Sequence, residues 1–599
     1  MTALLLVPVA VVLAYLVFAV VRLGLPRRLA LLAFWNGRVE HTLEEAERRH
    51  GQRTLFQLAQ PLAWVGDLTW SARRTREVVE RLSASWHHLG VRKGDRVAVY
   101  KRNDFDHFLF SLAAVRIGAI AVPMNVNVAG ETAARFMERM GVRLLITDTQ
   151  GYLRVHADGV SPPHTVRWVV LSDARALDGN PAGPLRVHRL ADLLKRDLPA
   201  MPVCPRGAGD PLYIVHTSGT TDLPKGVIVT SEGMAQSLRS FVLFNPVSRA
   251  DLACLALPLN HQVSHLYLHG ILLMGLRCIV NSELAAPRLI RQIEEQRPTL
   301  FFAFPITYTR LIAAGALERG LDSVRIWGTT ADASHEVQQR AFVTRGSFFR
   351  RLGIPVAGAL FLDGLGSSEV GIAALLRITT PWTRRFGRRI GRRAPLGPRI
   401  RVADVEGRPV PRGEVGRLMI KGKSLFGGYW NAHDALYATT RDGWWFTGDL
   451  VLEGDDGELV HLDHEVDVMH TATGPVYTLP IEEVVLKHPG VLDTCVFGVR
   501  QDPEGPELPA AVVALRTDAA PVAASVLRRT LNATLGADQQ LRHVWVIDWE
   551  EFPIGATGKT LKRKLRERYN AQLQGWVATL ADTPCEPLLS QVGGSLQPA

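Results

Sequence analysis

Cysteine is scarce in this chain. Its 599 residues hold five, Cys204, Cys254, Cys278, Cys495 and Cys585, with no CxxC pair. That spacing argues against a disulfide framework and a zinc site, and suits a reducing compartment. Internal repeats and nucleic-acid motifs are missing too, so the net charge of +11 is not read as a DNA or RNA footprint. It fits attraction to anionic lipid or acidic ligands. A hydrophobic content of 47% with 21% charged residues excludes a disordered chain. The length exceeds what one core supports, so two or more domains are expected.

Charge is absent altogether from Ala3–Val21, ALLLVPVAVVLAYLVFAVV, a run of nineteen residues. A spanning helix needs ~20 apolar residues. No basic stretch precedes the run and no small-residue cleavage site follows it, which argues against a secretory signal. Arg22, Arg27 and Arg28 come after it. Positive charge on that flank places the body in the cytoplasm. Residues 1–27 are therefore expected to be a single-pass membrane anchor in contact with lipid. A buried or interfacial helix is the alternative.

Beyond it, helical periods (Arg28–Arg53, Leu68–Leu89, Phe105–Ile117, Glu131–Met140) alternate with β-prone runs such as RVAVYKRN, IAVPMNVN and RLLITD. Such alternation predicts parallel sheet covered on both faces. Ser161–Gly209 reads as a loop. Leu252–His261, Thr299–Pro305, Val324–Trp327 and the start of Phe361–Glu369 read as strands, and Arg384–Arg393 as a solvated basic loop. The tail from 577 reads as frayed.

The most specific stretch is Tyr213–Thr230, YIVHTSGTTDLPKGVIVT. A strand–loop–strand with hydroxyls and glycine at its tip and a lysine behind it makes a phosphate cradle. It resembles the signature loop of the AMP-forming adenylating superfamily, which includes acyl- and aryl-CoA synthetases, luciferases and peptide-synthetase adenylation domains. Asp222 departs from the family's usual glycine. Further motifs follow in the family's order: Pro258-Leu259-Asn260-His261, Gly366-Ser367-Ser368-Glu369, Gly427-Gly428-Tyr429-Trp430, Trp445-Phe446-Thr447-Gly448-Asp449 and Pro553–Lys559, PIGATGK.

The resemblance implies ATP and Mg²⁺ as cofactors. It makes Lys559, Thr217 and His261 the catalytic candidates. Lys559 would set an ammonium against the acid and the α-phosphate. Nucleotide contacts fall to Thr217, Ser218, Gly219, Thr220, Thr221, Lys225, Gly366, Ser367, Ser368, Asp449 (on the ribose hydroxyls) and His464. Glu369 and Thr217 would hold the metal, since a hard cation wants a carboxylate. The implied fold is α/β: a large adenylating domain with parallel sheets (28–462), then a small mobile α+β lid (463–576) carrying Lys559.

Between the domains the family usually reads Asp-Arg, then a polar hinge residue. This chain has Asp463, His464 and, at the hinge, Val466. The CoA-supporting loop becomes His470-Thr471-Ala472-Thr473-Gly474-Pro475, where Pro475 removes a donor. Two readings share the adenylation of an oxyanion by ATP with release of pyrophosphate. The first is a membrane-anchored fatty or aryl acyl-CoA synthetase, with CoA as acceptor. The other is a membrane-bound ATP-dependent diazotase, in which nitrite is activated, an aromatic amine attacks and CoA is not needed. His265, Asn260, Trp327, Thr329 and Thr330 are expected near the pocket walls, more polar than a long-chain pocket wants.

Overall fold

The computed structural model describes residues 20, 24–156, 160–173, 185–217, 223–351, 353–555 and 558–581. Among them no helix is long and apolar enough to cross a membrane. The expected anchor, Ala3–Val21, lies outside the described residues apart from Val20. Two compact units are present: Met1–Leu462 with Ile554–Lys559, and Asp463–Pro553 with Thr560–Ala599.

Two large sheets build the first unit. One has seven strands, in which Arg96–Lys101, Ile120–Asn125, Val142–Thr147, Trp168–Leu171, Arg186–Arg189 and Pro211–His216 run parallel and Gly226–Thr230 antiparallel at one edge. The other has fourteen strands. Its parallel centre joins Thr54–Leu58, Arg277–Val280, Leu252–Ala256, Leu300–Ala303, Ile326–Thr330 and Leu360–Leu365. These strands are near-continuous apolar runs because both faces are covered. One face packs Phe301, Trp327, Tyr308 and Phe342 into an apolar core.

Several expectations are corrected. The Arg28–Arg53 helix is two helices, Leu25–Trp35 and Thr42–His50. The first ends where Asn36 turns left-handed at φ 52°. The Leu68–Leu89 period holds the strand Thr69–Ser71 ahead of the helix Ala72–Leu89, which Ser71 caps by accepting from the Arg74 N–H at 3.0 Å. Ser161–Gly209, expected as loop, supplies the strands Trp168–Leu171 and Arg186–Arg189 and the helix Leu190–Leu194.

The basic run is only in part the solvated loop expected: residues 384–388 lie outside any strand, with Arg384 and Arg385 exposed. Arg389–Arg393 is a strand. Arg388 is buried and donates to the Ala333 carbonyl at 3.1 Å, and Arg389 pairs with Asp456 at 2.8 Å. The Glu458 N–H and the Arg389 guanidinium hold the Asp456 carboxyl down at about 2. These cations are committed to internal acceptors.

The second unit has a three-stranded sheet, Val491–Val499, Leu508–Leu515 and His543–Val546, and the helix Lys562–Ala581. The stretch expected as a CoA loop is a hairpin, Met469–Thr471 with Gly474–Val476, in which His470 faces Pro475.

Candidate active site

In open parallel sheets, ligands gather beyond the carboxyl ends of the strands. Most of the first unit's candidates leave strands at such ends. Leu252–Ala256 leads to His261, Pro211–His216 to Thr217, and Leu360–Leu365 to Gly366, Ser367, Ser368 and Glu369.

Thr217 Oγ1 accepts from the Lys225 N–H at 3.2 Å, and the Thr217 N–H donates to the Lys225 carbonyl at 3.1 Å, closing the neck of the cradle. The tip of the cradle, Ser218, Gly219, Thr220, Thr221 and Asp222, lies outside the described residues. Gly427 and Trp430 donate to the Ile228 and Gly226 carbonyls at 2.8 Å, so the Gly427–Trp430 run lies along the exit strand. This brings Tyr429 under Lys225, whose Nζ stands 5.0 Å from the ring centroid. The Tyr429 hydroxyl donates to Glu369 Oε1 at 3.2 Å. Lys225 and Glu369 thus meet one ring from two motifs. Glu369 is only 8% exposed. A buried carboxylate with an oxygen left over from the Tyr429 bond suits a cation that also takes phosphate oxygens.

Asp449 lies in the strand Trp444–Glu453, its N–H donating to Thr447 Oγ1 at 3.0 Å. His461 Nε2, from the strand Leu459–His464, stands 3.2 Å from Asp449 Oδ1. His461 is buried and was not anticipated from the sequence, because it belongs to no motif. Only its seat two residues before Asp463 pointed to it.

His261 immediately precedes the helix Gln262–Met274, makes no side-chain capping bond to it, and sets its ring edge-on to Phe304, centroids 5.1 Å apart. Its Nδ1 is buried without a hydrogen bond. Burial, then His216 and Lys559, pushes its pKa down to about 4, so it is neutral at ordinary pH. Lys559 Nζ lies 3.6 Å from Asp332 Oδ2, within the first unit. Asp332 is a second unanticipated neighbour, and it follows Ala331, a non-glycine residue at φ 76°. Such backbone costs of order 1–3 kcal/mol and persists where the surroundings impose it.

His464 belongs to the second unit. Its N–H donates to Asp463 Oδ1 at 2.9 Å, and Asp463 also accepts from the Thr478 N–H at 2.6 Å. Val466 is exposed.

Within the first unit, Thr330 and Gly364 border a cleft of about 110 Å³. Its aromatic wall is Tyr267 stacked on Phe302, centroids 4.9 Å apart at 29°, with Phe241 edge-on to Tyr267 at 5.4 Å. Thr329 and Thr330 line it, as expected from the sequence. Thr329 is 4% exposed and its Oγ1 has no hydrogen-bond partner among the described residues. Trp327, His265 and Asn260 do not line it. Trp327 faces the opposite core, and His265 is buried against Phe108 and Tyr213.

Comparison with known proteins agrees with this layout. The family model described as AMP-binding enzyme matches residues 43–430, and that of the AMP-binding enzyme C-terminal domain matches residues 480–559. The chain is 30% identical over 528 residues to a 3-aminoavenalumate diazotase of Streptomyces sp, covering 83% of this chain and 89% of the relative. It is 27% identical over 502 residues to a feruloyl-CoA synthase of Amycolatopsis sp, covering 82% and 92%. Its fold is similar to that of an anthranilate CoA ligase in complex with anthranoyl-AMP, with TM-score 0.75, 19% identity, and 89% of this chain and 97% of that one covered. It also resembles the o-succinylbenzoate CoA synthetase of Bacillus subtilis with ATP and magnesium ion, with TM-score 0.70, 20% identity, and 88% and 99% covered. With one family model spanning well over half its length, the chain belongs to the AMP-binding enzymes.

Proposed function

We propose that this AMP-binding enzyme uses ATP to activate an oxyanion as a mixed anhydride with AMP, releasing pyrophosphate, and that a small aryl substrate occupies the cleft. One observation carries the aryl part of this reading. The cleft is walled by the Tyr267–Phe302 stack and holds one buried, unpartnered hydroxyl, that of Thr329. A flat ring with a polar substituent satisfies both, and a long alkyl chain leaves the hydroxyl unpaired.

The chain's own residues divide the work. Thr217 and Lys225 hold phosphate oxygens, Asp449 accepts the ribose hydroxyls, and Lys559 offsets charge that develops at the α-phosphate. Glu369, with Thr217, would hold Mg²⁺, which would supply positive charge against the phosphates. Catalysis is then positioning and charge neutralisation.

Two second steps are open to such an anhydride. For thioester formation the acid's own carboxylate is adenylated and CoA displaces AMP. For diazotisation nitrite oxygen is adenylated. The arylamine nitrogen then attacks the nitrosyl nitrogen, AMP leaves with the bonding pair, and transfer of both amine protons to the nitrosyl oxygen with loss of water gives the diazonium. The motifs alone put thioester formation first. The 30% identity to a diazotase over most of the chain, together with Val466 at the hinge and Pro475 in the CoA-supporting loop, moves diazotisation ahead. We further propose attachment to a membrane through Ala3–Val21, with the body in the cytoplasm.

The test supplies ATP and Mg²⁺ to the detergent-solubilised protein in two mixtures. One holds ferulic and 3-hydroxybenzoic acids with CoA, and the other nitrite with aminocinnamic acids and no CoA. A diazonium mass with AMP from the second establishes diazotisation. An acyl-CoA mass confined to the first overturns it in favour of the synthetase.

A further inference from the structure

The helix Leu25–Trp35 is amphipathic the wrong way round for a surface in water. Its inner face buries Arg28, Leu31 and Trp35. Its outer face carries Pro26, Leu29 and Ala33, with Phe34 beside them and Arg27 the one charge. Leu29 is 52% exposed and Phe34 70%. Three residues, Arg22 among them, separate the helix from the nineteen-residue uncharged run.

The surface around it is cationic. Arg27, Arg53 and Arg249 have no carboxylate partner among the described residues. The Arg53 guanidinium donates to the Arg249 carbonyl at 2.8 Å. Arg249 is held below its ordinary range by burial and then by repulsion from Arg53, Arg27 and Arg49. Unpaired guanidiniums gathered beside an apolar stripe match an anionic headgroup layer over hydrocarbon.

The same helix is tied to the cleft. Arg28 donates to the Val242 carbonyl at 2.7 Å and the Asn245 carbonyl at 2.8 Å, and also to that of Val247. This segment is the rim: Phe241, Phe244, Asn245 and Pro246 line the cleft, and Phe244 is half exposed there. One buried guanidinium therefore fixes the mouth of the cleft to the helix that bears the apolar stripe.

We propose that this face rests on an anionic lipid bilayer and that the cleft takes its aryl substrate from the bilayer. The second half rests on the reading of the cleft as the substrate site. A bilayer satisfies the outer stripe, the unpaired arginines and the neighbouring uncharged run together, and a second copy of this basic face would repel itself. The substrate class narrows accordingly to amphiphilic aryl acids that partition into lipid, with the carboxylate at the headgroup level.

Two arms test this on the full chain. In the first, an environment-sensitive dye is placed at Phe34→Cys, with Tyr437→Cys as the remote control, both in a Cys204→Ser/Cys585→Ser background. Vesicles of phosphatidylcholine with phosphatidylglycerol should shift the Phe34 emission to the blue and leave the Tyr437 emission in place. Arg27→Glu and Arg53→Glu should each weaken the anionic-lipid dependence by roughly fivefold. A Phe34 dye that stays in water with vesicles, or is shielded without them in a dimer, overturns the bilayer face.

In the second, pyrophosphate release is followed with nitrite and aminoaryl acids of rising lipid partition, delivered in vesicles. For the parent, kcat/KM should rise with partition. In Leu29→Glu/Phe34→Glu that rise should be lost, with the KM for ATP and the Tm unchanged. The same rise in the variant overturns delivery from lipid. No turnover of any acid would instead defeat the reading of the cleft, and the first arm would still decide the face.

Discussion

Gly328 is where a single methyl group should tell most about the cleft. It pairs with Phe302 across neighbouring parallel strands. A Cβ at Gly328 would lie 2.3 Å from Phe302 Cδ1 and 2.5 Å from Cε1. Carbon atoms prefer ~3.5–4.0 Å, so the ring must move by roughly 1.2 Å or more. Phe302 already stacks on Tyr267 at 4.9 Å, so the displacement breaks that stack or drives both rings into the cleft. Crowding of this kind costs about 1–3 kcal/mol in stability. An aromatic pair is worth about 0.5–1.5 kcal/mol beyond its buried area, or roughly two- to tenfold in affinity for a ring seated against it.

Gly328→Ala should therefore raise the KM for an aryl acid by roughly that factor, leaving the KM for ATP unchanged. The assay is pyrophosphate release against acid concentration at saturating ATP. Gly328→Ala/Phe302→Leu, which removes the ring that clashes, should lose less than the sum of the single changes. An unchanged KM for aryl acids in Gly328→Ala, or strict additivity in the double variant, would refute the reasoning.

Three more outcomes are expected. Lys559→Ala should cut adenylate formation by about 10²–10³ with ATP binding largely kept, measured by pyrophosphate exchange beside nucleotide titration; unchanged exchange removes Lys559 from its role. His461→Phe should loosen Asp449 and raise the KM for ATP about tenfold with little change in kcat. It should also shrink the preference for ATP over 2′-deoxy-ATP, with His461→Gln restoring part of it; an unaltered preference means His461 does not position Asp449. Burial holds His265 at about 3, below its ordinary 6.5, so it folds neutral. Its contribution to stability is whole above pH 6.5 and declines as pH falls toward 3. At pH 5.5 that decline is about 1.4 kcal/mol, or ~1 °C in Tm for a unit of roughly 470 residues. His265→Gln should narrow the Tm gap between pH 7.5 and 5.5 by about that much in scanning calorimetry, and an equal gap in both proteins would count against a neutral His265.

The parts of the site that the sequence discloses are those whose chemistry is local. A cradle needs its hydroxyls, glycine and lysine within one loop, and a ribose acceptor needs one carboxylate at a strand, so each shows as a short motif. What stays hidden depends on pairing between distant strands. His461 meets Asp449 across neighbouring strands, and Asp332 meets Lys559 across more than two hundred residues. Trp327 failed as a wall residue because side chains alternate across a strand. It shares the face of Phe301, its register partner, while Gly328 shares that of Phe302. Arg388 and Arg389 in the basic run misled for a related reason: their charge reads as solvated until the Ala333 carbonyl and Asp456 arrive from elsewhere in the chain.

Two of the three rings that shape the cleft each stand on a glycine. A Cβ at Gly270 would meet Phe241 Cε1 at 2.4 Å, as one at Gly328 would meet Phe302. Gly270 lies inside the helix Gln262–Met274, where glycine costs roughly 0.5–1 kcal/mol relative to alanine. A fold gains nothing by keeping glycine there unless the ring needs the space. Phe241 comes from the helix Ser231–Phe244, whose end Arg28 holds. The slot for a flat substrate is thus set on one side by the sheet and on the other by the helix tied to the N-terminal segment. A disturbance at the apolar outer face of Leu25–Trp35 has a rigid route, through Arg28 and Val242, to the edge of the ring that shapes the cleft.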